Sequence, residues 1–164
     1  RFRGPDQLIR AMSNHLPDAV ICLGVAAGRP AVSLERIAIN LLDFPIQDNS
    51  GIQVIDEPVI PGGPSAYMST LPLREIYNAL KNSGIPVELS LSAGSFLCNQ
   101  TFYLLMHFLS NSKSQIPAGF IHLPALPEQA SAQSKLIPTM SLELSLAAVK
   151  EAVRCIAGSI TNPR

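Results

Sequence analysis

The sequence predicts an α/β fold in which helices cover both faces of a central sheet. Short apolar runs typical of strands alternate with segments of helical periodicity along the chain. The length of 164 residues is close to that of one domain, and an apolar content of 47% is enough for one sizeable core. We therefore expect residues 1–164 to form a single domain.

The first predicted elements are a helix and two strands. Residues 6–14 have apolar side chains at helical spacing, with Asp6 as a candidate N-cap. The continuous apolar run 19–24 is typical of a strand covered on both faces. A shorter run over 34–40 predicts a second strand.

The middle of the chain begins with a loop. Residues 43–64 are rich in Pro, Gly, Asp and Asn, and within them 54–60 is a candidate edge hairpin. Residues 71–83 predict a helix with Pro72 in its first turn. The alternation of apolar and polar residues over 86–92 indicates a strand.

The last part of the chain completes the alternation. Residues 98–109 are apolar and aromatic at helical spacing, and 118–123 form a short buried strand. A polar, proline-punctuated loop is expected over 124–138. An amphipathic helix is expected over 140–156.

Composition argues against several classes of protein. Lys+Arg and Asp+Glu both number 12 without a basic block, which argues against nucleic acid as a partner. The longest apolar run, 19–27, is too short to span a membrane, and residues 1–5 lack the apolar part of a signal peptide. Three cysteines without metal spacing suit a reducing compartment. We therefore expect a cytoplasmic protein that uses no metal or cofactor.

Residues 92–99 are the segment most informative about chemistry. A strand runs into a turn containing Gly94, and the turn brings Cys98 to the start of a helix. Free N–H groups and a partial positive charge at a helix N-terminus stabilise a thiolate and an oxyanion. A buried cysteine with a packing role is the alternative. Packing explains Cys22, within an apolar strand, and Cys155, within the last helix, better than reactivity does.

A cysteine nucleophile needs a base and often an orienting carboxylate. Among His15, His107 and His122, only His122 ends an apolar strand, and His107 lies nine positions after Cys98 within one helix. Glu35 opens the apolar strand run 35–40. A structural histidine and a solvated strand end or salt bridge are the alternatives for these two residues. Composition and periodicity alone thus reach an α/β domain with a candidate cysteine–histidine site.

Several motifs occur in one order along nearly the whole chain. Residues 24–29 (GVAAGR) look like a glycine-rich GQAGGR motif, and 35–40 (ERIAIN) look like ERVAIN. Residues 92–99 (SAGSFLCN) resemble TAGTFVCN, and 119–124 (GFIHLP) resemble a histidine box. Together they resemble the pyroglutamyl peptidase type I family, also called pyrrolidone-carboxylate peptidases. Further matches lie at 48–49, 62–72, 126–129 and 140–143.

The resemblance implies a cysteine peptidase that removes N-terminal pyroglutamyl residues from peptides. It implies Cys98 as nucleophile, His122 as general base and later general acid, and Glu35 as the partner that orients His122. It also implies a three-layer α/β/α sandwich with a mixed, mostly parallel central sheet, and a homo-oligomer, either dimer or tetramer. The substrate-binding positions that it implies are Val25, Ile46 and Phe96.

The sequence departs from the family pattern in three places. The family's opening strand and loop have no counterpart in residues 1–164. Val25 stands where the family has a glutamine, and Pro45 stands where many members carry an arginine near the site. Two alternative functions follow: a catalytically impaired relative that acts as a binding module, and a different small-molecule cysteine amidase.

Overall fold

The structure, a computed structural model, describes residues 3–132 and 135–161. Its helices are α1 (Arg3–His15), α2 (Leu73–Asn82), α3 (Leu97–Asn111), α4 (Pro127–Ser131) and α5 (Leu142–Thr161). Its strands are β1 (Val20–Val25), β2 (Val32–Glu35), β3 (Ile37–Ile39), β4 (Ala66–Met68), β5 (Val87–Ser90) and β6 (Ala118–Leu123).

The main sheet has four strands in the order β1-β6-β2-β5. β1 runs parallel to β6 and β2 runs parallel to β5, whereas β2 and β6 are antiparallel. The predicted mixed, mostly parallel sheet is therefore confirmed. β3 and β4 form a separate antiparallel pair, with Ala38 opposite Tyr67.

Helices pack on both faces of the main sheet, as predicted. Alternate residues of β6 belong to two different cores: Phe120 packs with α1 and α3, and Ile121 packs with α2 and α5. Because successive strand side chains point to opposite faces, the two helix pairs lie on opposite sides of the sheet. We call the side covered by α1 and α3 the α3 face.

The apolar run predicted as one strand over 34–40 is two strands. The chain changes partners at Arg36, whose N–H donates to the carbonyl of Ser90, the last residue of β5, and whose carbonyl accepts from the N–H of Ser69, directly after β4. β2 thus belongs to the main sheet and β3 to the small one. The residue types of this run contain no sign of the change, because the change is set by the strand with which each segment pairs.

The expectation that the first strand is covered on both faces is wrong. Leu23 and Val25 are 48% and 51% exposed. The reason is position, since β1 is an edge strand of the described sheet.

Smaller differences concern element ends and short elements. Asp6 lies in the first turn of α1 rather than at its N-cap. The predicted hairpin over 54–60 is replaced by an isolated bridge between Leu42 and Glu57. The loop predicted over 124–138 contains α4, and its residues 133 and 134 lie outside the described part of the chain.

Candidate active site

Glu35 and His122 meet on the α3 face of the sheet. Val32 and Leu34 pack toward α2 and α5, so the alternating Glu35 points to the other side, where β6 presents His122. In the antiparallel register Glu35 pairs with Phe120 and Ser33 pairs with His122. Glu35 and His122 are therefore diagonal neighbours, which long side chains can bridge. Their Oε1 and Nδ1 atoms are 2.8 Å apart.

This contact is buried and its direction is fixed. Glu35 is fully buried and His122 is 4% exposed. A carboxylate can only accept, so Nδ1–H of His122 is the donor and Nε2 is left for another partner. Cys98 Sγ lies close to Gly24, the residue opposite His122 in the β1–β6 register, and its interaction with the ring raises the pKa of His122. The imidazole therefore bonds a carboxylate and lies near a thiol.

Cys98 is the second residue of α3. Residues 91–96 lead from β5 into this helix, and Gly94 has φ +80°, a left-handed conformation that favours glycine. Phe96 is the N-cap residue and makes no side-chain capping hydrogen bond. The first N–H groups of a helix have no intrahelical acceptor, so they are available to a negative oxygen beside the thiol.

Gly24 makes room for the thiol. It lies opposite His122 in the β1–β6 register. A Cβ atom at this position would be 2.9 Å from the Phe120 ring and 3.2 Å from Cys98 Sγ. A side chain at residue 24 would therefore push the sulfur or the ring away from its present place.

The electrostatics of the site favour a charged imidazole. Burial by itself lowers the pKa of His122, but hydrogen bonds with Cys98 and Glu35 outweigh it and raise the pKa to about 9. Burial raises the pKa of the Cys22 thiol to about 11, and Cys98 adds to the rise. Burial also raises the pKa of Cys155. The two other cysteines are thus poor sources of thiolate.

Arg29 is a site residue to which the sequence analysis gave no role. Its Nη1 donates to Glu35 Oε1 at 2.7 Å, and its Nη2 donates to the Ser92 carbonyl at 2.8 Å. The signal available in the sequence was an arginine at the end of the glycine-rich motif, six residues before a carboxylate in a buried strand.

Asn99 also escaped the sequence analysis. It is fully buried, its Oδ1 accepts the Ile39 N–H at 2.9 Å, and its Nδ2 donates to the carbonyls of Ile39 and Leu41 at 2.9 and 3.0 Å. These bonds join the start of α3 to the last residue of β3 and to the chain directly after it. A buried asparagine directly after the candidate nucleophile was the available signal.

The three predicted substrate-binding residues are placed differently. Phe96 directly precedes α3 and packs edge-on against Phe44, with ring centroids 4.6 Å apart. Ile46 is 65% exposed. Val25 follows Gly24 in β1, so its side chain points to the face opposite the thiol, and a contact with substrate would have to come from its backbone.

The remaining histidines lie elsewhere. His107 Nδ1 is 2.9 Å from the Tyr67 hydroxyl, and its Nε2 is 2.9 Å from Asn111 Nδ2. His15, the last residue of α1, is exposed. Neither histidine belongs to the cluster around Cys98.

Residues 3–132 and 135–161 contain no group of three or more His, Cys, Asp or Glu side chains placed to hold a metal ion. None of their helices combines the length and apolar character needed to cross a membrane.

The chain is similar to proteins of known family. A family model described as pyroglutamyl peptidase matches residues 2–159. The chain is 50% identical over 143 residues to a pyrrolidone-carboxylate peptidase of Vibrio vulnificus, covering 87% of this chain and 66% of the relative. A pyrrolidone-carboxylate peptidase of Brevibacillus brevis is 46% identical over 138 residues, 84% of this chain and 64% of the relative. The chain thus spans just under two thirds of the length of these relatives.

Solved structures agree with the sequence comparison. A mutant pyrrolidone carboxyl peptidase of the hyperthermophile Pyrococcus furiosus superposes with a TM-score of 0.91 at 40% identity, over 95% of this chain and 76% of that chain. The pyroglutamyl peptidase I of Bacillus amyloliquefaciens superposes with a TM-score of 0.89 at 41% identity, over 93% of this chain and 72% of that chain.

Proposed function

The chain belongs to the pyroglutamyl peptidase family, and we propose that it acts as a cysteine peptidase that removes pyroglutamyl residues from the N-termini of peptides. In this proposal Cys98 is the nucleophile, His122 the general base and acid, and Glu35 the residue that orients His122. The observation that carries it is the position of the buried His122 imidazole, which is hydrogen-bonded to Glu35 and lies opposite Gly24, the residue that Cys98 Sγ approaches.

The first half of the proposed reaction forms a thioester. The thiol proton passes to His122 Nε2, and Cys98 Sγ attacks the carbonyl carbon of the pyroglutamyl residue. N–H groups at the start of α3 stabilise the resulting oxyanion. His122 then donates the proton to the leaving amine, the C–N bond breaks, and the shortened peptide departs. Glu35 accepts the Nδ1–H bond throughout and so stabilises the imidazolium.

The second half hydrolyses the thioester. His122 takes a proton from a water molecule, whose oxygen attacks the same carbonyl carbon. The C–S bond breaks as the tetrahedral intermediate collapses, and the proton held by His122 returns to the sulfur. Pyroglutamate leaves, and the free thiol is restored.

The proposed substrate requires a small pocket beside the thiol. Pyroglutamate is a neutral lactam without a free amine, so its recognition needs apolar walls and a few backbone donors and acceptors. Phe96, at the N-cap before Cys98, and Ile46 are the proposed walls. Val25 is proposed to contribute backbone groups, since its side chain points away from the thiol.

The test is kcat/KM on a pyroglutamyl-coumarin substrate compared with acetyl- and prolyl-coumarin analogues. We expect turnover of the pyroglutamyl substrate alone, and its loss in Cys98→Ser with an unchanged melting curve. Turnover of the acetyl analogue instead would favour a small-molecule amidase. No turnover of any substrate by a well-folded protein, with retained binding of a pyroglutamyl peptide, would favour a catalytically impaired binding module.

The dimer or tetramer and the cytoplasmic location expected from the sequence remain predictions. Gel filtration with light scattering would measure the first, and fractionation of cells would measure the second.

A further inference from the structure

Arg29 joins three segments that meet around the candidate site. It lies in the turn between β1 and β2, where the chain leaves the sheet edge. One arm of its guanidinium reaches Glu35 Oε1 at the end of β2, at 2.7 Å. The other arm reaches the Ser92 carbonyl at 2.8 Å, and Ser92 begins the turn that leads to Cys98. A planar guanidinium presents its N–H groups in a fixed fork, so the two contacts constrain each other.

The Glu35 carboxylate depends strongly on such a partner. Both of its hydrogen bonds, from Arg29 and from His122, go to Oε1. Oε2 is buried and has no partner among the described residues. A buried carboxylate that is bound through one oxygen can rotate about its side chain unless a second contact holds it, and an uncompensated buried charge is costly. Arg29 supplies both the contact and the opposite charge.

We infer that Arg29 is a positioning residue. Its guanidinium links Glu35 to Ser92, in the turn that leads to Cys98, and so holds the Glu35 carboxylate in place against the His122 imidazole. This role of Arg29 rests on the proposed function for the identity of the reaction. The effect of Arg29 on the Cys98–His122 pair, exerted through Glu35, does not depend on which substrate is hydrolysed.

The experiment is a double-mutant cycle between Arg29 and Glu35. The four proteins are the unmodified chain, Arg29→Met, Glu35→Gln and the double variant. One readout is the rate constant for alkylation of Cys98 by iodoacetamide at pH 6.5, where an ordinary thiol is only about 1% ionised. The other readout is kcat/KM on the pyroglutamyl substrate.

We expect Arg29→Met to lower both rate constants by about 10- to 100-fold when Glu35 is present, because misplacement of the orienting group is costly. In the Glu35→Gln background the same change should alter them by less than about twofold, since nothing is left to position. Equal losses in both backgrounds would overturn the inference, because a residue with a merely structural role acts additively. No loss in the presence of Glu35 would overturn it as well.

Arg36→Met is the matched control. Arg36 is an exposed arginine next to Glu35 in sequence, but it lines a cleft with Leu73 and Leu89, which pack on the other face of the sheet. We expect Cys98 of the Arg36→Met variant to be alkylated at the same rate as Cys98 of the unmodified chain. If Arg29→Met lowers the melting temperature, Arg29→Lys replaces it in the cycle, because lysine keeps the charge but lacks the fork.

The two readouts separate this inference from the proposed function. Should the unmodified chain hydrolyse no pyroglutamyl substrate while the alkylation cycle is non-additive, the proposed function fails and the inference about Arg29 stands. Should turnover occur while the alkylation cycle is additive, the proposed function stands and the inference fails.

Discussion

Replacing Glu35 by glutamine should lower the pKa of His122 while leaving the fold intact. Glutamine has nearly the same shape as glutamate, so it fills the same buried space. It removes the negative charge that faces Nδ1 of His122 at 2.8 Å. The change therefore tests electrostatics with little change in packing.

The expected magnitude follows from the pKa of His122. The rise from 6.5 to about 9 occurs against burial, which lowers the pKa, and it comes from Cys98 and Glu35 together. At about 1.36 kcal/mol per pH unit, it corresponds to roughly 3 kcal/mol of preference for the charged imidazole. Glu35 is, after Cys98, the second of the two groups that raise the pKa, so its loss should lower the pKa by about one unit. At pH 8.5 the imidazole would then be mostly charged in the unmodified chain and mostly neutral in the variant.

The assay is a titration of the histidine ring signals by NMR. His15 and His107 lie away from the site and provide internal references. Glu88→Gln is the matched control, because Glu88 on neighbouring β5 accepts from Ser33 rather than from His122. The reasoning is refuted if His122 titrates near 6.5 in the unmodified chain, or if Glu35→Gln and Glu88→Gln move its midpoint equally.

Three other experiments test the surroundings of the thiol. Iodoacetamide should modify Cys98 before Cys22, because burial raises the pKa of Cys22 to about 11. Peptide mapping after partial alkylation measures the order of modification, and earlier modification of Cys22 would contradict the expectation. Gly24→Ala should cost about 1–3 kcal/mol in urea unfolding, because its Cβ would lie 2.9 Å from a ring carbon. Gly158→Ala in α5 is the control, because its Cβ would meet no atom within 4 Å, and it should stabilise the protein by about 0.5–1 kcal/mol. Similar effects of the two substitutions on stability would argue against crowding at Gly24. Asn99→Ala removes three buried hydrogen bonds and should destabilise the protein by at least about 1–3 kcal/mol in urea unfolding. A loss below about 0.5 kcal/mol would show that these bonds contribute little to stability.

Local patterns were enough to predict most of the fold. The apolar run over 118–123 predicted β6, and the alternation over 86–92 predicted β5. Both patterns are visible in short stretches of neighbouring residues. The glycine-bearing turn before Cys98 likewise predicted the start of α3, since turn and helix signals are local. The boundary at Arg36 could not be predicted, because it depends on a change of partner strand and not on residue type.

The same division applies to the candidate site. The sequence by itself named Cys98, His122 and Glu35, because each ends or begins a recognisable element and lies in a family motif. Only the tertiary structure introduced Arg29 and Gly24. Arg29 matters through contacts with Glu35, six positions away, and Ser92, 63 positions away. Gly24 matters through the sulfur and the ring that approach it across the sheet. Such contacts arise from the register and packing of remote segments, and no local periodicity encodes them.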